Sequence, residues 1–365
     1  MADKKRLTCK VCGFKSDNLV DHIEKVHGDL DAGDGALAGY MVKYDCGEDD
    51  VLHPEYEETV AKSKSKSGGS VSSDFVKFGK AQLPIQKTEK NYIPAIDPKY
   101  HFSDERSESI ALDIIQNKRV LLTGHTGCGK TSIITQMAAR SKNGVIRVNM
   151  NGQTTISDFA GMHLAKAGET VWVDGVLPRA MRQGLWLIID EIDFADAAIL
   201  AMLNEVLEPN GSLTLKEKDG EIVKPHPDFR LFATANTVGA MQIYRAIYQG
   251  ANIMNEAFLD RWRCYHVNYL SEAEEVKIIV DKIGGNMSPV IAQPIVRVMN
   301  AVRAGFEKEE LACTFSLRRG LEWAELMVRY KHPMKAAEVA IFSKVSKEDA
   351  AVVQGIIKRL MVDES

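Results

Sequence analysis

The chain has 365 residues, a length for two or three domains, with 45% hydrophobic and 26% charged residues and a formal net charge of −4. That composition is the one expected of a folded globular protein, and the slight acidic balance excludes an overall basic field that would draw the chain to nucleic acid or anionic membrane. No uninterrupted apolar run is long enough to span a bilayer, the N-terminal MADKKRLTCK lacks the apolar centre of a signal peptide, and six cysteines are too few for a disulfide scaffold. Together these features predict a reducing, cytoplasmic setting.

In chain order, residues 1–28 form a Cys/His unit. Cys9, Cys12, His22 and His27 have the spacing of a small tetrahedral zinc site, and Phe14, Leu19 and Ile23 supply a minimal apolar cluster. The intervals resemble those of short-spaced, Ros-type bacterial zinc fingers. Residues 29–61 are acidic, with ten Asp or Glu against one Lys. Residues 62–74, which include KSKSKSGGSVSS, have no large apolar side chain and are expected to be a flexible linker. Residues 75–100 regain apolar residues and carry Pro84, Pro94 and Pro98, which predicts an extended N-terminal arm.

From 101 to 270 the pattern alternates strand and helix and predicts an α/β fold, a parallel sheet flanked by helices. Expected strands lie at 120–123, 145–149, 185–189, 230–234 and 265–269; the third is fully apolar and therefore expected to be central. The apolar run 197–207 has helical period and reads as core. Residues 271–365 read as an all-helical second domain.

The chemistry concentrates in three segments. GHTGCGKT fits G-x-x-x-x-G-K-[ST] between a strand and a helix, the setting that a phosphate-binding P-loop requires. The candidate contacts are Gly124, His125, Thr126, Gly127, Cys128, Gly129, Lys130, Thr131 and Ser132. Glycines let backbone N–H groups converge on phosphate, and the helix N-terminus adds favourable partial charge. Lys130 is expected on the β- and γ-phosphates of ATP and Thr131 on Mg2+. Cys128 reads as a small filler and His125 as passive. LWLIIDEID runs an apolar strand into Asp190, a second candidate Mg2+ ligand, and Glu191, a candidate to polarise the attacking water. FRLFATANT ends in Asn236, whose amide is a candidate to orient that water. Arg261 in NEAFLDRW is a candidate arginine finger toward a neighbouring subunit, and Arg318 in TFSLRRGLEW a candidate contact to the chain's own phosphates. Arg263 and Arg319 compete for these roles, and a solvated salt bridge is the simpler reading of each.

VWVDGVLPRAMRQGLWLIIDEID resembles the MoxR branch of AAA+ ATPases. IVKPHPDFRLFATANTVG, MNEAFLDRW and YIPAIDPKYHF are closer still to the small ATPase subunit of cobaltochelatases. The resemblance spans about residues 90–330. It implies a P-loop AAA+ core with a helical lid, and a homo-oligomeric ring of six subunits with ATP sites between neighbours. It also implies an insert near 159–173, a hairpin at 212–224 turning at Asp219 and Gly220, and a partner carrying a von Willebrand A domain. Where cobaltochelatase-type chains have a His-Gly-Thr-Gln-like run, this chain reads AMQIYRAIYQGANIMNEAF.

The leading expectation is thus an ATP-hydrolysing ring that remodels a partner protein. The alternatives are the ATPase subunit of a metal chelatase and a motor recruited to DNA by its finger. The finger's helix face, with Asp17, Asn18, Asp21, Glu24 and Lys25, is mostly acidic and disfavours phosphate backbone, so a protein-docking or structural role is preferred for it.

Overall fold

The computed structural model describes residues 75–86, 91–166, 168–236, 252, 254–285 and 287–361, together with two short strands near the N-terminus. The chain divides into two units, residues 1–72 and 73–365. In the first, β1 (Leu7–Thr8) pairs antiparallel with β2 (Lys15–Ser16), Leu7 opposite Ser16. This pair brackets residues 9–14. The four candidate zinc ligands, Cys9, Cys12, His22 and His27, lie outside the described residues, as do the acidic segment and the linker.

The second unit begins with a hairpin, β3 (Phe75–Phe78) and β4 (Ala81–Pro84). Part of the stretch expected to be an extended arm therefore folds back on itself. Its alternation places Phe78, Ala81 and Leu83 in the core, beside Ile110 and Ile114 of α1 (Asp104–Ile115). The sequence continues through β5 (Val120–Thr123), α2 (Lys130–Arg140), β6 (Val145–Asn149), α3 (Ile156–Ala160), β7 (Gly161–Lys166), β8 (Glu169–Asp174), α4 (Val176–Gln183) and β9 (Trp186–Asp190). After these come α5 (Ala197–Leu207), β10 (Leu213–Leu215), β11 (Glu221–Val223), β12 (Arg230–Ala235), α6 (Glu256–Leu259) and β13 (Arg263–His266).

Five of these strands form one parallel sheet in the order β13-β5-β12-β9-β6. Its middle strand is β12, and β9 lies inside the sheet between β12 and the edge strand β6, as expected of the apolar 185–189 segment, whose two faces helices cover. The last strand starts earlier than its apolar residues suggest, because Arg263 takes the place opposite Val120. Successive residues point to opposite faces. Leu121, Leu187, Ile189 and Leu231 meet the buried faces of α4 and α5, whereas Val120, Leu122, Ile188 and Phe232 meet α1 and α2.

Two hairpins project from this unit. β7 pairs with β8 from Gly161 to Asp174, where an insert is expected. β10 pairs with β11 through a longer loop than a two-residue turn, with Asp219 and Gly220 both at positive φ.

Helices α7 (Glu272–Ile283), α8 (Pro289–Glu307), α9 (Leu317–Tyr330), α10 (Pro333–Ala340) and α11 (Lys347–Met361) build the helical region around Ile279, Ile295, Met299, Phe315, Trp323, Val353 and Ile357. Gly320 lets α9 approach α8; a Cβ there would stand 2.5 Å from Met299 Sδ. Within this core Arg303 makes a two-pronged pair with Glu275, both bonds 2.8 Å, and donates from Nε to the Phe315 carbonyl. Their side chains are 6% and 1% exposed. Burial raises the Glu275 pKa, and Arg303 opposes that shift. Glu275→Ala leaves a buried guanidinium without its counter-charge and is expected to destabilise the chain by about 3–5 kcal/mol, read as a lower denaturant midpoint. Among the described residues no helix is long and apolar enough to cross a membrane.

Candidate nucleotide site

The P-loop leaves the carboxyl end of β5, crosses residues 124–129 and enters α2 at Lys130. Gly124, Gly127 and Gly129 all adopt positive φ. A Cβ on Gly127 would lie 2.3 Å from the Ser316 Cβ, so glycine here also admits the start of α9. The loop opens into a cavity of about 530 Å3 at the carboxyl edge of the sheet. That is where open α/β sheets bind ligands, and the size suits a nucleotide.

Lys130, Thr131, Ser132, Asp190, Glu191, Asn236 and Arg318 all line this cavity. Lys130 Nζ donates to the carbonyls of Gly124 (2.6 Å) and His125 (3.0 Å) and to Asn236 Oδ1 (3.0 Å). Burial lowers its pKa, while Asp193, Glu191 and Asp190 pull the other way. Thr131 donates to Asp190 Oδ1 at 2.6 Å, and Thr234 donates to the same oxygen at 2.9 Å. These hydroxyl and carboxylate oxygens are the hard donors that Mg2+ takes beside phosphates, so the residues present fit the metal. Glu191, next in sequence, takes φ +56, and its N–H donates to Thr234. This left-handed turn, costly by about 1–3 kcal/mol, redirects the chain so that Glu191 joins Asp190 in the cavity wall. The buried Asp193 accepts the backbone N–H of Asn236 at 3.1 Å and so fixes the end of β12.

A second cavity of about 290 Å3 continues from the first, between the P-loop, residues 97–106 and the helical region. Gly127, Cys128 and Gly129 line it, with Tyr100, Ile278 and Leu321. The segment before α1 acts as its strap. Asp97 accepts from Lys282 of α7, His101 pairs with Asp281 at 2.9 Å, and Gln136 of α2 bonds both Ala95 and Asp97.

The candidate contact His125 is placed apart from the others. Its ring lies in neither cavity. It stacks on Tyr269 and meets Phe306 edge-on in a separate polar cleft with Asn300, Arg303 and Glu307. Its burial there lowers its pKa, against an opposing pull from Glu307. Sequence reasoning also missed Tyr269, whose hydroxyl donates to the Thr126 carbonyl of the loop at 3.1 Å, while the Arg303 guanidinium lies 3.7 Å over its ring. Arg147 is a second omission: it lines the nucleotide cavity and pairs with Asp190.

The two arginine candidates separate. Arg318 faces the cavity, whereas Arg319 donates to the Thr314 carbonyl and stacks on Phe315. Arg261 lies at the opposite, amino edge of the sheet, just before Arg263 pairs with Val120. There it pairs with Glu208 and bonds the Ala257 carbonyl. Four residues of β5, about 13 Å at ~3.3 Å per residue, separate that edge from the P-loop.

The geometry is that of a P-loop nucleotide pocket roofed by a helical lid. In agreement, residues 119–261 match the AAA domain (dynein-related subfamily), and residues 275–361 match the CbbQ/NirQ/NorQ C-terminal family. The aerobic cobaltochelatase subunit CobS of a Sinorhizobium species is 32% identical over 280 residues, covering 74% of this chain and 84% of that one. Protein NorQ of Paracoccus denitrificans is 29% identical over 237 residues, 65% of this chain and 83% of its own. The denitrification regulatory protein NirQ of Pseudomonas aeruginosa is 28% identical over 233 residues, 64% and 85% of the two chains. The chain belongs to the MoxR-like AAA+ ATPases.

Proposed function

We propose that the chain hydrolyses ATP within a homo-oligomeric ring, a hexamer, and uses the cycle to remodel a partner protein. The observation that carries the ring is Arg261. An arginine at the amino edge of the sheet is out of reach of its own P-loop, and its role is therefore assigned to the pocket of an adjacent copy. Within one subunit, Lys130 exchanges its loop carbonyls for the β- and γ-phosphate oxygens, and Arg318 adds a second cation from the lid. Thr131 and Asp190 would hold Mg2+, which neutralises phosphate charge. Glu191 takes a proton from water as the water attacks the γ-phosphorus and the bond to the β-phosphate oxygen breaks, leaving ADP and phosphate. Asn236, set by Asp193, orients that water.

The partner is proposed to carry a von Willebrand A domain, on the strength of the MoxR resemblance. The alternative of a metal-chelatase ATPase subunit is supported by the likeness to the cobaltochelatase subunit. Recruitment to DNA is disfavoured by the acidic residues Asp17, Asp21 and Glu24 and by the acidic run of residues 29–61 in the sequence. The finger is proposed to hold one Zn2+ on Cys9, Cys12, His22 and His27. Metal analysis of the purified chain should return one zinc, lost in Cys12→Ser; no zinc in the unaltered chain refutes the site. The function itself is tested with Glu191→Gln, which should bind ATP, hydrolyse it ~10²–10⁴-fold more slowly and elute with ATP as a ring in light scattering. A Glu191→Gln chain that stays monomeric with ATP contradicts the ring. Proteins retained by the trapped ring distinguish the cargo readings.

A further inference from the structure

Arg147 has no role in the scheme above, yet it touches the group on which the metal site depends. It sits on β6, the edge strand of the sheet, two residues before Asn149, which pairs with Asp190 on β9. Strand alternation puts Arg147 and Asn149 on one face, and both line the nucleotide cavity. The Arg147 Nε donates to Asp190 Oδ2. The other carboxylate oxygen, Oδ1, is already taken by the Thr131 and Thr234 hydroxyls. The Asp190 carboxylate is thus satisfied on both oxygens with no metal required.

The two halves of the pair differ sharply in exposure: the Asp190 side chain is 4% exposed and that of Arg147 is 60% exposed. A buried carboxylate needs a cation nearby, whereas a guanidinium mostly in water is lightly held and can leave. An arginine whose only task was to fix the fold would bury its head group with several partners, as Arg303 does. Among the described residues, the Arg147 side chain makes just this one polar contact, on the carboxylate that a divalent ion held by Thr131 and Asp190 would need.

We propose that Arg147 is a built-in counter-ion that competes with Mg2+ for Asp190. It closes the metal site between turnovers and yields Asp190 when metal and nucleotide arrive together. This is a positioning role, exerted through Asp190, and it rests on the nucleotide-and-metal reading of the pocket. If the pair is closed about nine-tenths of the time, the apparent metal affinity is about tenfold weaker than the intrinsic one.

The test uses the full chain with ADP and Mn2+ in place of Mg2+, with bound Mn2+ counted by electron paramagnetic resonance. Unaltered protein should bind Mn2+ in an ADP-dependent manner, and Asp190→Asn should not. If that comparison fails, the reading of the pocket is wrong, whatever Arg147 does. If it holds, Arg147→Gln decides. The expected result is Mn2+ binding about tenfold tighter than in the unaltered chain, with Arg147→Lys, which keeps the charge, falling between the two. Tighter binding is not a result that general damage produces, and melting with ADP and Mn2+ present checks that each variant is folded. Unchanged or weaker Mn2+ binding by a folded Arg147→Gln chain overturns the proposal, the weaker case by making Arg147 a direct contact of the nucleotide.

Discussion

Lys130→Ala is expected to weaken nucleotide binding about a hundredfold and to abolish hydrolysis while leaving the fold in place. Lys130 is the cation at the centre of the loop, and it is held there by two backbone carbonyls and the Asn236 amide. Each of these bonds is available to be traded for a charge-assisted bond to phosphate. Losing that exchange removes about 3 kcal/mol of binding, roughly a hundredfold in affinity, and the deficit grows in the transition state, where charge on the γ-phosphoryl oxygens must be met. The fold should tolerate the change, because burial already works against the Lys130 charge. The carboxylates of Asp190, Glu191 and Asp193 lose a nearby cation, so a fall of a few degrees in melting temperature is the expected side effect. Calorimetric titration with ATP and Mg2+, paired with a melting curve, reads both. Near-normal affinity in the alanine chain removes Lys130 from the proposed role.

Much of this site is legible in the sequence because its signals are local. Gly124, Gly127 and Gly129 meet positive-φ requirements within one turn of chain, and LWLIID and LFATA are apolar enough to mark strands without knowledge of their neighbours. What the sequence misleads on depends on contacts far along the chain. The composition of β9 marks it as an interior strand, but the strand order is set by which strands pair, and only the pairing puts β12 in the middle. The start of β13 is hidden because Arg263 and Cys264 are exposed there and carry no apolar signal. His125 sits inside the phosphate-loop motif, yet its ring belongs to the lid side, because Tyr269 and Phe306 offer it aromatic partners there. Tyr269 itself is silent in sequence: it gains significance only when Arg303, from a distant helix, stacks on it. Arg147 reads as an ordinary charged residue on an edge strand until the register of β6 against β9 brings it to Asp190.

Arg261→Ala is expected to give rings that bind ATP and do not hydrolyse it. A finger supplied in trans is worth about 10³–10⁵ in rate, so the variant's turnover should sit near background. Its fold should be little affected, because the pair with Glu208 is exposed at 32% and 50%, and such pairs contribute about 0–1 kcal/mol. The decisive measurement mixes Arg261→Ala with Lys130→Ala chains. Each alone is inactive, one for want of a finger and the other for want of a loop. In a mixed ring, an Arg261→Ala subunit offers an intact P-loop to a Lys130→Ala neighbour that still carries Arg261, and that interface is complete. Hydrolysis should therefore reappear on mixing and pass through a maximum as the ratio of the two chains is varied. If Arg261 served its own subunit instead, each mixed interface would still contain one defective partner and no ratio would restore activity. Subunit exchange, followed by energy transfer between labelled chains, must be seen in the same samples. Exchange without recovery places the catalytic arginine elsewhere, with Arg263, which lies 3.9 Å from Asp113 on the same sheet edge, as the next residue to vary.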